Sequence, residues 1–65
     1  MNETMITELK KRAAAFLSAS DVPVTKMCKR LDMATSSYYR WQRGILALSE
    51  SRLETIDSYL NQFGY

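Results

Sequence analysis

Histidine is absent from this 65-residue chain, cysteine and proline occur once each, and glycine occurs twice. The lone Cys28 cannot form a disulfide within the chain, and without histidine no cysteine–histidine metal site can be assembled. No apolar run approaches the ~18 residues that spanning a bilayer requires. So short a chain forms one domain, residues 1–65, with too little interior to enclose a substrate pocket. The composition therefore predicts no cofactor, no metal ion and no membrane span.

The same shortages argue against catalysis. Enzymes need a metal, a nucleophile beside a base, or paired carboxylates in a cleft. With no histidine, and with Glu50, Glu54 and Asp57 expected on a surface helix, the chain offers none of these sets. We therefore expect neither an enzyme nor a small-molecule substrate. The first residues, MNETMITELKKR, are too polar for a signal peptide, so a cytoplasmic location is expected.

What the chain does contain is helical periodicity, which predicts an all-α fold. We expect a first helix from about Thr4 to Ser18 and a last helix that is capped by Ser49. The apolar stripe of the first helix is formed by Ile6, Leu9, Ala13, Phe16 and Leu17. In the last helix, apolar residues repeat at 3–4 spacing at Leu53, Ile56, Leu60 and Phe63. The basic run 10–12 on the first helix is typical of a solvated face, with phosphate contact as the alternative.

Two short helices are predicted between these, over residues 24–31 and 35–43. The first buries one face at i, i+3, i+4 and i+7 spacing, formed by Val24, Met27, Cys28 and Leu31. In the second, Tyr38 and Trp41 share an inward arc. Asp32 is expected to adopt the left-handed conformation that a tight turn needs, and Gly44 to end the second helix.

Basic charge is concentrated on these two middle helices. The segment between Val22 and Gly44 holds five basic residues and one acidic residue, a net charge of +4, whereas the remainder holds four basic and six acidic residues, a net charge of −2. The five are Lys26, Lys29, Arg30, Arg40 and Arg43. A basic helix pair on a slightly acidic scaffold is typical of DNA-binding proteins.

The segment VTKMCKRLDMATSSYYRWQRG, residues 24–44, resembles the helix–turn–helix of the Cro and C-repressor family of phage and bacterial regulators. Met27 and Cys28 match the apolar pair of the family's first motif helix, and Tyr38 and Trp41 match the inward positions of its recognition helix. The resemblance implies a domain of four or five helices that binds double-stranded DNA sequence-specifically. It also implies a small phage-type transcriptional regulator, repressor or activator, in the bacterial cytoplasm or nucleoid.

The resemblance also implies which residues touch DNA. The family's base-reading positions fall on Thr35, Ser36 and Arg40, with Ser37 adjacent, and its phosphate-binding positions fall on Thr25 and Arg43. Further phosphate contacts are expected from Lys26, Lys29 and Tyr39. Ala34 stands where the family usually has a capping side chain. Because Thr35 could cap one residue later, either Thr35 or Ser36 is the first base-reading residue.

Spare apolar residues indicate a partner. We expect an isologous contact that makes a homodimer, in solution or only on DNA, on an operator with two-fold related half-sites. The residues expected at this contact are Ile45, Leu46, Tyr59, Phe63 and Tyr65. One alternative is that they only complete the core of a monomer. Another is that the whole fold is a protein-interaction module, antitoxin-like or a phage accessory protein, without specific DNA readout.

Overall fold

Four α-helices and no strands form the fold of residues 1–65 in the computed structural model. They are α1 (Glu3–Ala19), α2 (Val24–Arg30), α3 (Thr35–Gln42) and α4 (Glu50–Gln62). The all-α prediction is confirmed, and the predicted helix ends differ from the observed ones by a single residue where they differ. None of the four helices combines the length and the apolar character that crossing a membrane requires.

The two long helices, α1 and α4, lie side by side and run in the same direction. At their starts, the amino group of Met1 contacts the carboxylate of Glu50. Near their ends, the ring centroids of Phe16 and Phe63 are 5.0 Å apart. This pair forms one side of the molecule, and the short helices α2 and α3 complete the core.

Eleven apolar side chains are buried in one core. All four helices contribute, and the residues are Leu9, Ala13, Phe16, Met27, Cys28, Leu31, Tyr38, Trp41, Leu53, Ile56 and Leu60. Tyr38 and Trp41 therefore face inward, as the helical spacing predicts. Phe63 does not join them, since α4 ends at Gln62 and the Phe63 side chain is 49% exposed. Phe63 is therefore the one residue of the predicted apolar repeat of α4 that the core leaves out.

The three helices α2, α3 and α4 end in the same backbone pattern. After each C-cap comes a residue with positive φ: Asp32 at 55°, Gly44 at 79° and Gly64 at 80°. In α2 the Asp32 N–H donates to the Lys29 carbonyl, and the next N–H donates to the Cys28 carbonyl. These paired bonds define the Schellman motif, which satisfies the last carbonyls of a helix. The left-handed conformation predicted for Asp32 is confirmed.

Candidate nucleic-acid interface

The five basic side chains of segment 24–44 are all exposed, and none forms an ion pair. They are Lys26, Lys29 and Arg30 on α2, Arg40 on α3, and Arg43 at the C-cap of α3. The single acidic residue of the segment, Asp32, is also exposed and unpaired. The charge segregation predicted from sequence is thus preserved in three dimensions.

The basic residues of α1 and α4 behave differently, because each has a partner within the chain. The Lys10 ammonium lies 5.7 Å from the centre of the Trp41 ring. Lys11 lies 3.7 Å from the Glu8 carboxylate, which is an exposed pair of little energetic weight. The Arg12 guanidinium lies 2.6 Å from the Asp57 carboxylate. Arg52 donates hydrogen bonds to two backbone carbonyls, which are described below. The prediction of a simply solvated basic run therefore holds for Lys11 but not for its two neighbours.

The inward and outward faces of α2 separate cleanly. Met27 and Cys28 are buried, whereas Thr25, Lys26 and Lys29 are exposed on the opposite side. All three predicted phosphate contacts on this helix are therefore free to meet a ligand. No side chain of the chain accepts a hydrogen bond from the exposed ammonium groups.

On α3, the predicted contact residues divide into two groups. Ser36, Tyr39, Arg40 and Arg43 are exposed. At ~100° per residue these four lie within one arc opposite the buried aromatic pair. Thr35 and Ser37 flank the arc and are half-buried. The exposed side chains of these four residues, which we call the α3 strip, form no hydrogen bond within the chain.

Thr35 is half-buried and lies beside the Cys28 thiol of α2. Burial raises the pKa of the Cys28 thiol, and a hydrogen bond with the Thr35 side chain lowers it by less. Nor does Thr35 cap the helix: Ala34 occupies the N-cap position, without a side-chain hydrogen bond, and Thr35 is the first helical residue. Of the two candidates for the first base-reading position, Ser36 is exposed and Thr35 is half-buried.

Two side chains that sequence reasoning missed fasten α2 and α3 to the long helices. Arg52 of α4 donates from Nη1 to the carbonyl of Leu31 at 2.7 Å and to the carbonyl of Asp32 at 2.6 Å. It thereby fixes the turn that joins α2 to α3. Such contacts join residues 20 or 21 positions apart, and helical periodicity contains no signal for them.

The second fastening is Gln42, at the end of α3. Its Nε2 donates to the Lys10 carbonyl of α1 at 2.9 Å and to the Tyr38 hydroxyl at 3.0 Å. Burial raises the pKa of Tyr38, while the hydrogen bond with Gln42 opposes this shift. The α3 strip is thus held in a fixed orientation at both ends of α3, by Arg52 at the preceding turn and by Gln42 at the last residue of the helix.

The residues expected at a dimer contact fall on two surfaces. Tyr59, Phe63 and Tyr65 surround Phe16, with ring centroids 5.6, 5.0 and 5.5 Å from the Phe16 ring. Tyr59 and Phe63 also touch each other, with centroids 5.1 Å apart. The C-terminal aromatic cluster therefore completes the packing around a core residue, although Phe63 and Tyr65 stay partly exposed.

The other two expected contact residues lie near the opposite end of α1. Leu46 lines a cleft together with Ile6, which precedes Phe16 by ten residues, or about 15 Å of helix. Ile45 adjoins this cleft and is 70% exposed. The structure thus divides the single apolar contact expected from sequence into two separate surfaces.

No three cysteine or carboxylate side chains lie close enough together to share a metal ion.

In comparisons with known proteins, no family model, no curated protein and no solved structure matches this chain.

Proposed function

We propose that α2, the 31–34 turn and α3 form a helix–turn–helix that binds double-stranded DNA sequence-specifically, as in the Cro and C-repressor regulators that the segment resembles. In this proposal α3 enters the major groove and α2 lies across the phosphate backbone. The protein would act as a small phage-type regulator, repressor or activator, in a bacterial cytoplasm.

One observation carries the proposal: three of the four basic residues outside the helix pair contact other parts of the fold, whereas the five on the pair have no partner within the chain. The fourth, Lys11, has only a weak exposed pair with Glu8. Unpaired cations on adjacent helices repel one another, and no carboxylate of the chain pairs with them to offset that repulsion. They do suit a polyanion, because lysine and arginine side chains that neutralise phosphates release the counterions condensed on the nucleic acid, and this release drives binding. The outward face of the helix pair thus has the electrostatic character of a phosphate-binding surface.

The α3 strip supplies the chemistry for reading bases. Arg40 lies within it and can donate two hydrogen bonds to guanine O6 and N7, while the hydroxyl of Ser36 can donate to or accept from a base edge. Arg43 at the helix end, and Thr25, Lys26 and Lys29 on α2, face outward as phosphate contacts. Tyr39, which is 47% exposed, offers its hydroxyl to a phosphate. Thr35 and Ser37, being half-buried, would support the strip from its flanks.

The start of α3 adds a weaker argument. Helices α1 and α4 are capped by the side chains of Asn2 and Ser49, whereas α3 has Ala34 at the N-cap and no capping hydrogen bond. Its first N–H groups are therefore available to an external acceptor. Phosphate oxygens are common acceptors at such helix starts.

The experiment that tests the proposal begins with a selection of random duplex DNA on the purified chain. The selected duplex is then titrated by fluorescence anisotropy at several salt concentrations. With three to five cations at phosphates, the slope of log K against log salt should be about −3 to −4.5. Failure to enrich any sequence, or an affinity that is independent of salt concentration, would refute the proposal.

Single variants then separate base contacts from phosphate contacts. Arg40→Ala should cost about 1–3 kcal/mol on the selected duplex and relax preference at one base position. Arg43→Ala should weaken binding to all sequences and make the salt slope shallower by about 1. Lys11→Ala is the matched control, since Lys11 is an exposed cation on α1 outside the surface and should change neither quantity. If Arg40→Ala weakens all sequences equally, Arg40 contacts phosphate instead.

The alternative of a protein-interaction module predicts an affinity that hardly depends on salt concentration. Its support is the exposed apolar side chains, chiefly Ile45 and Phe63. Binding through such side chains changes little with salt and does not distinguish duplex sequences. The same titrations therefore discriminate the two functions.

A further inference from the structure

Arg30 differs from the other four cations of the helix pair, because it borders a cleft. This cleft, which we call the α2–α4 cleft, has a volume of about 280 Å³ and lies between the end of α2 and the second half of α4. On α2 it is lined by Arg30 and Leu31, and no residue of α3 lines it. Arg30 thus lies on a different surface from the α3 strip, and none of the DNA contacts assigned above uses it.

Helix α4 forms a polar wall of the α2–α4 cleft. The residues of this wall are Thr55, Ser58, Tyr59 and Gln62. Their spacing of i, i+3, i+4 and i+7 places them on one face of the helix. The Thr55 hydroxyl already donates to the Ser51 carbonyl, at 2.9 Å. The other three side chains make no hydrogen bond within the chain, so two hydroxyls and one amide can serve a ligand.

The only charge in the cleft is positive. Arg30 forms no ion pair, and no aspartate or glutamate lines the cleft. The acidic residues of α4 follow another stripe of the helix, at Glu50, Glu54 and Asp57. Asp57 is held toward α1 by Arg12, at 2.6 Å. Since the carboxylates of α4 are directed elsewhere, the charge of the α2–α4 cleft selects an anion.

The cleft also has an apolar part, which is formed by Leu31, Tyr59 and Phe63. Leu31 is buried, and its carbonyl accepts a hydrogen bond from Arg52 at 2.7 Å. The rings of Tyr59 and Phe63 pack on Phe16, with centroid distances of 5.6 and 5.0 Å. These contacts exist without a ligand, so that binding orders little additional structure.

We propose that the α2–α4 cleft binds a small organic monocarboxylate with a compact aromatic or aliphatic body. The Arg30 guanidinium pairs with the carboxylate, because its planar fork presents two parallel N–H donors to the two oxygens. The apolar body packs on Leu31 and the two rings. Pockets for small molecules usually measure about 300–1,000 Å³, so a cleft of about 280 Å³ suits a ligand of metabolite size. The acid is a bound ligand and not a substrate.

Charge and shape together favour a carboxylate over a phosphate. A phosphate monoester carries about −1.5 to −2 charges at neutral pH, and the cleft offers one cation to balance them. One guanidinium and one carboxylate match in both charge and geometry. A phosphodiester carries a single charge, but it brings no apolar body to cover Leu31 and the aromatic rings, as the body of an organic acid does.

The test is an amide NMR titration of the purified chain with benzoate, benzamide and inorganic phosphate. Benzoate should move the amide shifts of residues 30–31 and 55–63, with a dissociation constant in the millimolar range for a ligand of about ten non-hydrogen atoms. Benzamide has the same shape without the charge and should bind about tenfold more weakly, as should phosphate. Equal affinity for benzamide, or benzoate shifts spread over all basic residues, would refute the site.

Variants then test the charge and the space separately. Arg30→Gln should weaken benzoate binding about tenfold or more. Arg43→Gln, the same change at an exposed arginine that lines no cleft, is the matched control and should bind benzoate as the wild type does. Ser58→Leu fills the cleft from an exposed position of α4 and should also weaken binding, although Arg30 is retained.

Circular dichroism melts establish that the variants fold. Unchanged binding in Arg30→Gln or in Ser58→Leu, or an equal loss in Arg43→Gln, would overturn the assignment. None of these measurements uses DNA. Failure of the cleft to bind benzoate therefore leaves the proposed DNA binding intact, and failure of the chain to select any duplex leaves the carboxylate site intact.

Discussion

The two hydrogen bonds from Arg52 should make a measurable contribution to stability. Its guanidinium donates to the Leu31 and Asp32 carbonyls, which end α2 and begin the turn. A hydrogen bond to a charged group contributes about 1.5–3 kcal/mol when well buried. Arg52 is half-buried, so its two bonds together should contribute about 2 kcal/mol. A chain of 65 residues has only about 3–10 kcal/mol of total stability.

The variant Arg52→Met keeps most of the apolar stem and removes the donors. We expect its free energy of unfolding to fall by about 2 kcal/mol and its melting temperature by about 8–16 °C. Arg52→Lys, which can reach one carbonyl at a time, should fall between this variant and the wild type. Urea titrations followed by circular dichroism measure the change, with an unaltered slope showing that the compactness of the two end states is unchanged.

The matched control is Arg40→Met, the same chemical change at an exposed arginine without hydrogen bonds inside the chain. It should lie within about 0.5 kcal/mol of the wild type. If the Arg52 and Arg40 variants unfold at the same urea concentration, the two carbonyls are as well satisfied by water, and the turn is held by packing alone.

Three further changes test the core, the turn and the buried titratable groups. Trp41→Ala should unfold the chain or nearly so, because truncating a buried aromatic costs ~3–5 kcal/mol, and a normal circular dichroism melt would show that Trp41 is not in the core. Asp32→Gly should raise the free energy of unfolding by about 0.5–1 kcal/mol, since glycine adopts a φ of 55° without strain and the change removes an acidic group from a helix C-terminus. Asp32→Val should lower the free energy of unfolding, and urea midpoints measure both changes. Stability should also fall as pH rises above about 8.5, because burial raises the pKa of Cys28 and Tyr38, so the fold retains protons that the unfolded chain releases. Cys28→Ala should lessen this alkaline loss in urea titrations at pH 7 and pH 9.5, and an equal loss in both proteins would exclude a contribution from the thiol.

Local features of the fold could be read from the sequence because they depend on residues a few positions apart. The spacing of Tyr38 and Trp41 determines the inward face of α3, and both are buried. The tolerance of aspartate for positive φ explains Asp32 in its turn. These predictions needed no knowledge of how the helices pack against one another.

The remaining features depend on that packing. Whether Thr35 faces solvent is decided by its position beside Cys28 of the preceding helix, which the period of α3 alone does not show. Gln42 reaches a carbonyl 32 residues earlier in the chain, and Phe63, just past the end of α4, packs its ring on Phe16 of α1. The separation of Ile45 and Leu46 from the C-terminal aromatic cluster likewise follows from how α4 lies along α1.

The α3 strip has a consequence for how this protein can evolve. Its four exposed side chains make no hydrogen bond within the chain, and the residues that hold α3 in place are different ones. Exposed substitutions of this kind usually change stability by less than about 0.5 kcal/mol. Exchanging residues such as Ser36 and Arg40 can therefore alter which ligand the surface prefers without first requiring compensating mutations in the core. Lineages that carry this fold could diverge in target preference by mutations at these positions alone, while the residues beneath them remain under selection for folding.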